Sequence, residues 1–171
     1  MPSRREFEPA DLADWSAHIE KAGAEVLSKL AALPDTAWLE VVEGTWTTKD
    51  VIGHLAAWSD YLLDEVEALA RGDADAIRAV DIDDWNAVQI AARRDWPAEK
   101  VRAVWEATVR RALRVVAQLS ADEMTRRRRV AWTDDPVSPA DLLELWLLHI
   151  EQHRGSLTDR HERSNEREAS A

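Results

Sequence analysis

Three of the five histidines in this 171-residue chain lie where their side chains could share a metal ion. His149 and His153 are four residues apart in a segment with helical periodicity, so their side chains leave the same helix face one turn apart. Both fall on the apolar stripe of that helix, and His54 falls on the apolar stripe of another. His18 lies among charged neighbours instead, and His161 lies in a charged C-terminal segment. The pattern therefore singles out His54, His149 and His153.

Inward-facing imidazoles are costly without partners, because each ring carries a donor and an acceptor that must be satisfied. A divalent ion resolves the cost, since imidazole suits zinc, nickel, copper or iron and bonds of about 2.0–2.1 Å let an i,i+4 pair bind one ion. Three protein ligands leave a position for water or substrate, which is the arrangement of a catalytic site. The alternative is that each histidine is an ordinary hydrogen-bonded core residue, because one HxxxH motif is a weak signal by itself.

Amphipathic helices must position these histidines, and their starts are marked in the sequence. Thr47 is an N-cap candidate with Asp50 three residues later, Pro97 suits a first helical position, and Ser138 with Pro139 gives another strong start. The apolar spacing predicts long helices over residues 9–33, 48–71, 98–119 and 139–158, with a short one over 84–94 and a brief one after residue 120. We expect an all-α four-helix bundle over residues 1–158, an additional short helix between the second and third long helices, little or no strand, and a disordered charged tail over 159–171.

Composition narrows the class of protein. An apolar fraction of 46% with nine tryptophans is enough for a core, and the absence of cysteine excludes disulfides and thiolate sites. The net charge of −11 disfavours nucleic acid as a partner, because an acidic surface repels phosphate. No secretory signal or membrane-spanning run is visible, so we expect a soluble cytoplasmic protein without a membrane partner.

Other residues are candidates for the same site. Trp58 follows His54 by one turn and could form a wall of a metal pocket or simply fill the core. Tyr61 could donate a proton or cap the core, and Asn86 could contact a ligand or cap the short helix. The arginine run that begins with Arg126 and Arg127 is either a solvated turn or a clamp for an anionic group on a substrate or cofactor.

Two segments resemble a known family. WTTKDVIGHLAAW (residues 46–58) and DLLELWLLHIEQH (residues 141–153) resemble the DinB/YfiT-like superfamily of four-helix-bundle metalloenzymes. The likeness extends over residues 9–158 and includes Asn86 and the helix start at Pro97. In that family one histidine of the second helix and an HxxxH of the last helix form a metal triad, which implies His54, His149 and His153 as metal ligands here.

The resemblance also implies a range of activities. Members include thiol-dependent transferases and isomerases that use mycothiol or bacillithiol, and some hydrolases. The mycothiol-dependent maleylpyruvate isomerase branch has a glutamate where this chain has His149, and the region of Asn86 is similar to the ClbS-like branch, which destroys a genotoxin.

From the resemblance we expect metal-dependent chemistry on a small electrophilic molecule, as a thiol S-transferase or a hydrolase with a detoxification role. The expected cofactors are zinc, nickel or iron and, for the transferase, a low-molecular-weight thiol. Tyr61 or Asn86 would assist, and Arg126 would hold an anionic group. The rival is a non-enzymatic module that sequesters a toxic compound or a metal. A homodimer is expected, because DinB-like bundles often pair through helices.

Overall fold

The structure, a computed structural model, describes residues 12–168, and the side chains of residues 156 and 158–168 lie outside this description. The described chain is an all-α bundle with four long helices and a shorter one between the second and third, as predicted. The predicted start of the first helix near residue 9 lies outside the described residues. The helices are α1 (Leu12–Ala32), α2 (Thr48–Arg71), α3 (Ile82–Arg93), α4 (Ala98–Gln118), α5 (Ala121–Thr125) and α6 (Pro139–Glu168), with 3₁₀ turns at Asp35–Leu39 and Ala74–Ala76.

The two helices that carry the histidines begin at strong caps. The Thr47 side chain accepts a hydrogen bond from the Asp50 amide, and the Asp50 carboxylate accepts one from the Thr47 amide. Ser138 and Asp141 make the same reciprocal pair at the start of α6. At the far end of α2, Gly72 has a φ of 85°, a left-handed conformation that glycine adopts at little cost. These caps thus fix the residue at which each of the two helices begins and the residue at which α2 ends.

The core lies where α2 packs against α4 and α6 and where α1 packs against α4 and α6. Trp105 and Trp146 are its largest fully buried side chains. The Trp146 indole donates to the Ser59 hydroxyl, which itself donates to the Leu55 carbonyl, so a buried polar contact joins α6 to α2. That contact lies one turn from His54 and is close along α6 to His149, and it fixes how the two helices face each other. None of the helices in the described part of the chain has both the length and the apolar content that a membrane crossing requires.

Two small β-hairpins join the helices, and the sequence did not predict them. The first pairs β1 (Val41–Glu43) with β2 (Trp46–Thr47), and the second pairs β3 (Arg128–Val130) with β4 (Thr133–Val137); both are antiparallel. Gly44 has a φ of 53° in the first turn. Strands of two to five residues are too short for apolar alternation to stand out in the sequence, which is why they were missed.

The last helix is longer than the sequence predicts. The backbone of α6 does not end at Thr158 but continues as helix to Glu168, across most of the segment expected to be a disordered tail. The sequence of that segment contains no glycine or proline and is rich in arginine and glutamate, which favour helix. Residues 169–171 of the predicted tail lie outside the described residues.

Candidate metal centre

His54 from α2 and His149 and His153 from α6 converge at one place in the bundle. Each ring offers a nitrogen, and these three nitrogens lie within 4.8 Å of one another. The Nε2 atoms of His54 and His149 are 3.0 Å apart, so one ring donates to the other. The ring centroids are 4.8 to 4.9 Å apart for every pair. The predicted convergence of the three rings is confirmed, and their role as metal ligands stays a prediction.

Burial keeps two of the three rings of the triad neutral. His54 and His153 are buried and His149 is half-buried. Burial, with repulsion from His149 and His153, lowers the pKa of His54 to about 3. Burial, with repulsion from His153, lowers the pKa of His149 to about 4. Near neutral pH these two rings are therefore uncharged and have lone pairs available for a cation.

A carboxylate that sequence reasoning missed contacts the triad. His153 Nδ1 lies 2.9 Å from Glu43 Oε2, a hydrogen bond between side chains 110 residues apart in the chain. Glu43 ends β1, so the first hairpin delivers it to the last helix. With Nδ1 engaged by Glu43, Nε2 is the nitrogen of His153 that remains available to an ion. The sequence carried no periodic signal for this contact, because the strand is only three residues long.

The opposite nitrogen of His54 has a different environment. Its Nδ1 is buried and has no hydrogen-bond partner among the described residues. The Asn86 side chain interacts with this ring and raises its pKa against the larger effect of burial. The outer nitrogen of His54 thus lacks a carboxylate partner like the one that Glu43 gives His153.

Two tryptophans flank the triad. The Trp46 ring lies 4.7 Å from the His54 ring and stacks at 6.3 Å on that of His153. Trp58 meets His54 and His149 edge-on, at 6.4 and 6.3 Å. Trp58 thus lies beside the triad, and its role as a pocket wall stays a prediction. Trp46 covers the triad from the first hairpin.

The structure brings Asn86 to the site but not Tyr61. The Asn86 Oδ1 atom accepts a hydrogen bond of 2.8 Å from the Trp58 indole, which holds α3 against the triad. Tyr61 packs on Trp58 and Trp85, with ring centroids 5.4 and 5.2 Å away. Its hydroxyl donates to the Arg78 carbonyl, and burial raises its pKa. The Tyr61 proton is therefore directed away from the histidines.

The arginines proposed as an anion clamp lie elsewhere. Arg127 donates to the Pro136 carbonyl and pairs with Asp141 at 3.0 Å, and Arg126 is exposed. Asp141 precedes His149 by eight residues, which is about 12 Å along a helix. The structure therefore does not bring either arginine to the triad, and Arg127 instead ties the second hairpin to the first turn of α6.

A cleft of about 750 Å³ lies between the first hairpin and α3, and none of the three histidines lines it. Trp46 and Asn86, which contact or flank His54, form part of its lining. Lys49 lies in the cleft with its ammonium group held by the carbonyls of Arg94 and Trp96. The remaining lining residues include apolar Leu39, Ala87 and Ile90 and charged Asp50, Asp83 and Arg94. The cleft has room for a small molecule of mixed polarity, and Trp46 and Asn86 connect it to the His54 ring.

The two remaining histidines do not join the site as far as the structure describes them. His18 is exposed, and its Nδ1 lies 2.7 Å from the Asp14 carbonyl one turn back on α1. This confirms the predicted exposure of His18. The side chain of His161 lies outside the described residues.

Comparison with known proteins gives the family of this chain. The family model of the DinB superfamily matches residues 18–157. The chain belongs to the DinB superfamily. No curated protein matches this DinB-superfamily chain closely enough to be a relative.

Solved structures share its fold. YfiT from Bacillus subtilis, described as a probable metal-dependent hydrolase with an unusual four-helix bundle topology, is 17% identical with a TM-score of 0.79, over 96% of this chain and 94% of YfiT. The mycothiol-dependent maleylpyruvate isomerase is 15% identical with a TM-score of 0.74, over 86% of this chain; the match spans only 61% of the isomerase. The colibactin self-resistance protein ClbS, solved with double-stranded DNA, is 12% identical with a TM-score of 0.71, over 91% of this chain and 98% of ClbS. At these identities the likeness shows the fold alone.

Proposed function

We propose that this DinB-superfamily chain is a divalent-metal-dependent enzyme that acts on a small electrophilic molecule. The observation that carries the proposal is the convergence of His54, His149 and His153, whose nitrogens lie within 4.8 Å of one another beside a cleft. Zinc, nickel and iron are the ions that this all-imidazole set suits. YfiT, a neighbour with the same fold, is itself described as a probable metal-dependent hydrolase.

The residues present fit such an ion. Two nitrogens on one ion can lie up to about 4.2 Å apart when each bond is about 2.1 Å. Small rotations of the imidazoles bring a set within 4.8 Å into that range. His54 and His149 have lowered pKa values and are neutral near pH 7, as ligands must be, and their Nε2 atoms already lie 3.0 Å apart. A divalent ion held there supplies a Lewis acid that lowers the pKa of a coordinated nucleophile.

The chain's own residues shape the reaction site. Trp46 and Trp58 cover two sides of the His54 ring and keep water from them. His149 is the half-buried member of the triad, so access to the centre is on its side. Asn86 holds the Trp58 indole and lines the cleft, where it can orient a substrate. The cleft would hold the part of the substrate that does not react.

Thiol transfer is the reaction class we favour, with hydrolysis as the alternative. One neighbour of this fold is an isomerase that depends on the thiol mycothiol, and YfiT is described as a probable hydrolase. ClbS is described as a self-resistance protein and was solved with DNA. The net charge of −11 favours a small molecule over DNA as the ligand of this chain.

The proposal is tested with a chromogenic electrophile. Metal-loaded protein is mixed with 1-chloro-2,4-dinitrobenzene and, in turn, cysteine, glutathione, mycothiol or bacillithiol, and then with nitrophenyl esters without thiol. We expect turnover that the His149→Ala variant loses and the His18→Ala variant keeps. Metal binding without turnover in any assay would favour the sequestering module instead.

A further inference from the structure

The first hairpin brings two side chains to the triad within a few residues. Glu43 pairs with Trp46 across the two strands, and the Glu40 carbonyl accepts the Thr48 amide beside them. Glu43 reaches His153, while the Trp46 ring lies over His54 and His153. The connection between α1 and α2 therefore forms one side of the candidate centre.

The contact of Glu43 with His153 decides which ring nitrogen is protonated. A carboxylate accepts hydrogen bonds, so Nδ1 of His153 carries the hydrogen and donates it over 2.9 Å. The His153 side chain is 6% exposed, so water competes little for this bond. The lone pair is then on Nε2, the nitrogen of His153 that Glu43 leaves available to an ion. By contrast, the outer nitrogen of His54 has no hydrogen-bond partner among the described residues.

We propose that Glu43 is a positioning residue of the metal centre, which holds His153 in the Nδ1–H tautomer and at the angle that binding requires. The role rests on the proposed function. A carboxylate that accepts a hydrogen bond from the outer nitrogen makes the inner nitrogen of an imidazole more basic and a stronger metal ligand. Loss of such a partner weakens metal affinity by about 10–100-fold. Because the bond joins β1 to α6, metal binding and the position of the hairpin, with Trp46, are coupled.

The tautomer is measured first, in metal-free full-length protein labelled with ¹⁵N-histidine. Long-range ¹H–¹⁵N correlation spectra are expected to show His153 as the Nδ1–H tautomer, assigned by its absence in His153→Gln. Glu43→Gln, whose amide oxygen can still accept, should keep this form, and Glu43→Ala should lose the preference. Glu40→Ala, an exposed glutamate just before β1, is the matched control and should change nothing. An Nε2–H tautomer in the wild type overturns the proposal.

Zinc affinity is then measured by competition with a chromophoric chelator, using variants that keep the wild-type circular dichroism spectrum. Glu43→Ala should bind zinc about 10–100-fold more weakly, Glu43→Gln should fall between it and the wild type, and Glu40→Ala should match the wild type. Equal affinity in the wild type and both Glu43 variants overturns the role of Glu43 and leaves the proposed function standing. A wild-type protein that binds none of zinc, nickel or iron overturns the proposed function, and the role of Glu43 with it.

Discussion

Acidification should destabilise the metal-free protein through the triad itself. Burial and mutual repulsion lower the pKa of His54 to about 3 and that of His149 to about 4, against an ordinary value of 6.5. As pH falls below about 6.5, His54 and His149 become protonated in the unfolded chain, whereas in the folded protein they stay neutral until about pH 3–4. The free energy of unfolding therefore decreases through this window. In the metal-free state the cluster lowers stability, which is expected of a site built to bind a ligand.

The magnitude follows from the two shifts. At about pH 5.5, one unit below the ordinary value, each ring favours unfolding by about 1.4 kcal/mol, because one pKa unit corresponds to about 1.36 kcal/mol. Together His54 and His149 can cost up to about 2.7 kcal/mol between pH 7.5 and 5.5. Replacing His149 by leucine removes one contribution and part of the repulsion on His54, so this loss should shrink by about 1 kcal/mol or more.

Urea denaturation of chelator-treated protein at the two pH values measures the effect. The wild type should lose stability on acidification, and His149→Leu should lose less. His18→Leu is the control, because its exposed ring is solvated in both states, and it should follow the wild type. If wild type and His149→Leu lose the same free energy of unfolding, His149 is not buried and neutral in the folded protein.

Three further outcomes are expected. Gly23→Ala should destabilise the protein by about 1–2 kcal/mol, since its Cβ would lie 2.6 Å from a valine methyl of α4, whereas Gly155→Ala, with nothing within 4 Å, should stabilise it by up to about 1 kcal/mol. Equal signs in urea denaturation would contradict this packing. Arg127→Ala should lower the free energy of unfolding by under about 1 kcal/mol and leave metal content unchanged, because its ion pair with α6 is exposed. A loss of metal in this variant would indicate that Arg127 does belong to the site. Sedimentation should give a homodimer, for which the exposed Leu145 and Leu148 of α6 offer apolar surface, and a monomer would refute it.

The helices and the convergence of the histidines could be predicted because their signals are local. Thr47 and Ser138 mark helix starts through contacts only three residues long, and from there the period of 3.6 places every side chain on a face. His54, His149 and His153 are polar residues on apolar stripes, and a bundle brings such stripes together. Local sequence signals were therefore sufficient to predict the four long helices and the convergence of the three histidines.

The contacts that the sequence did not predict are made by residues of short strands with partners far away in the sequence. Glu43 meets His153 across 110 residues of sequence, from a strand of three residues that has no detectable period. The position of Trp46 beside the histidines was not predicted, because its hairpin was not foreseen. Arg127 belongs to a run that the sequence left open, and only the folded hairpin shows its partner to be Asp141.

The metal content of the purified full-length protein tests the central claim most directly. Elemental analysis by mass spectrometry should find about one zinc, nickel or iron ion per chain in the wild type, as expected for three ligands on one ion. His18→Ala should keep that ion, and His54→Ala, His149→Ala or His153→Ala should lose most of it and unfold at a lower temperature. Triad variants that retain the full metal content of the wild type, or a wild type that binds no metal when these ions are supplied, would contradict the account.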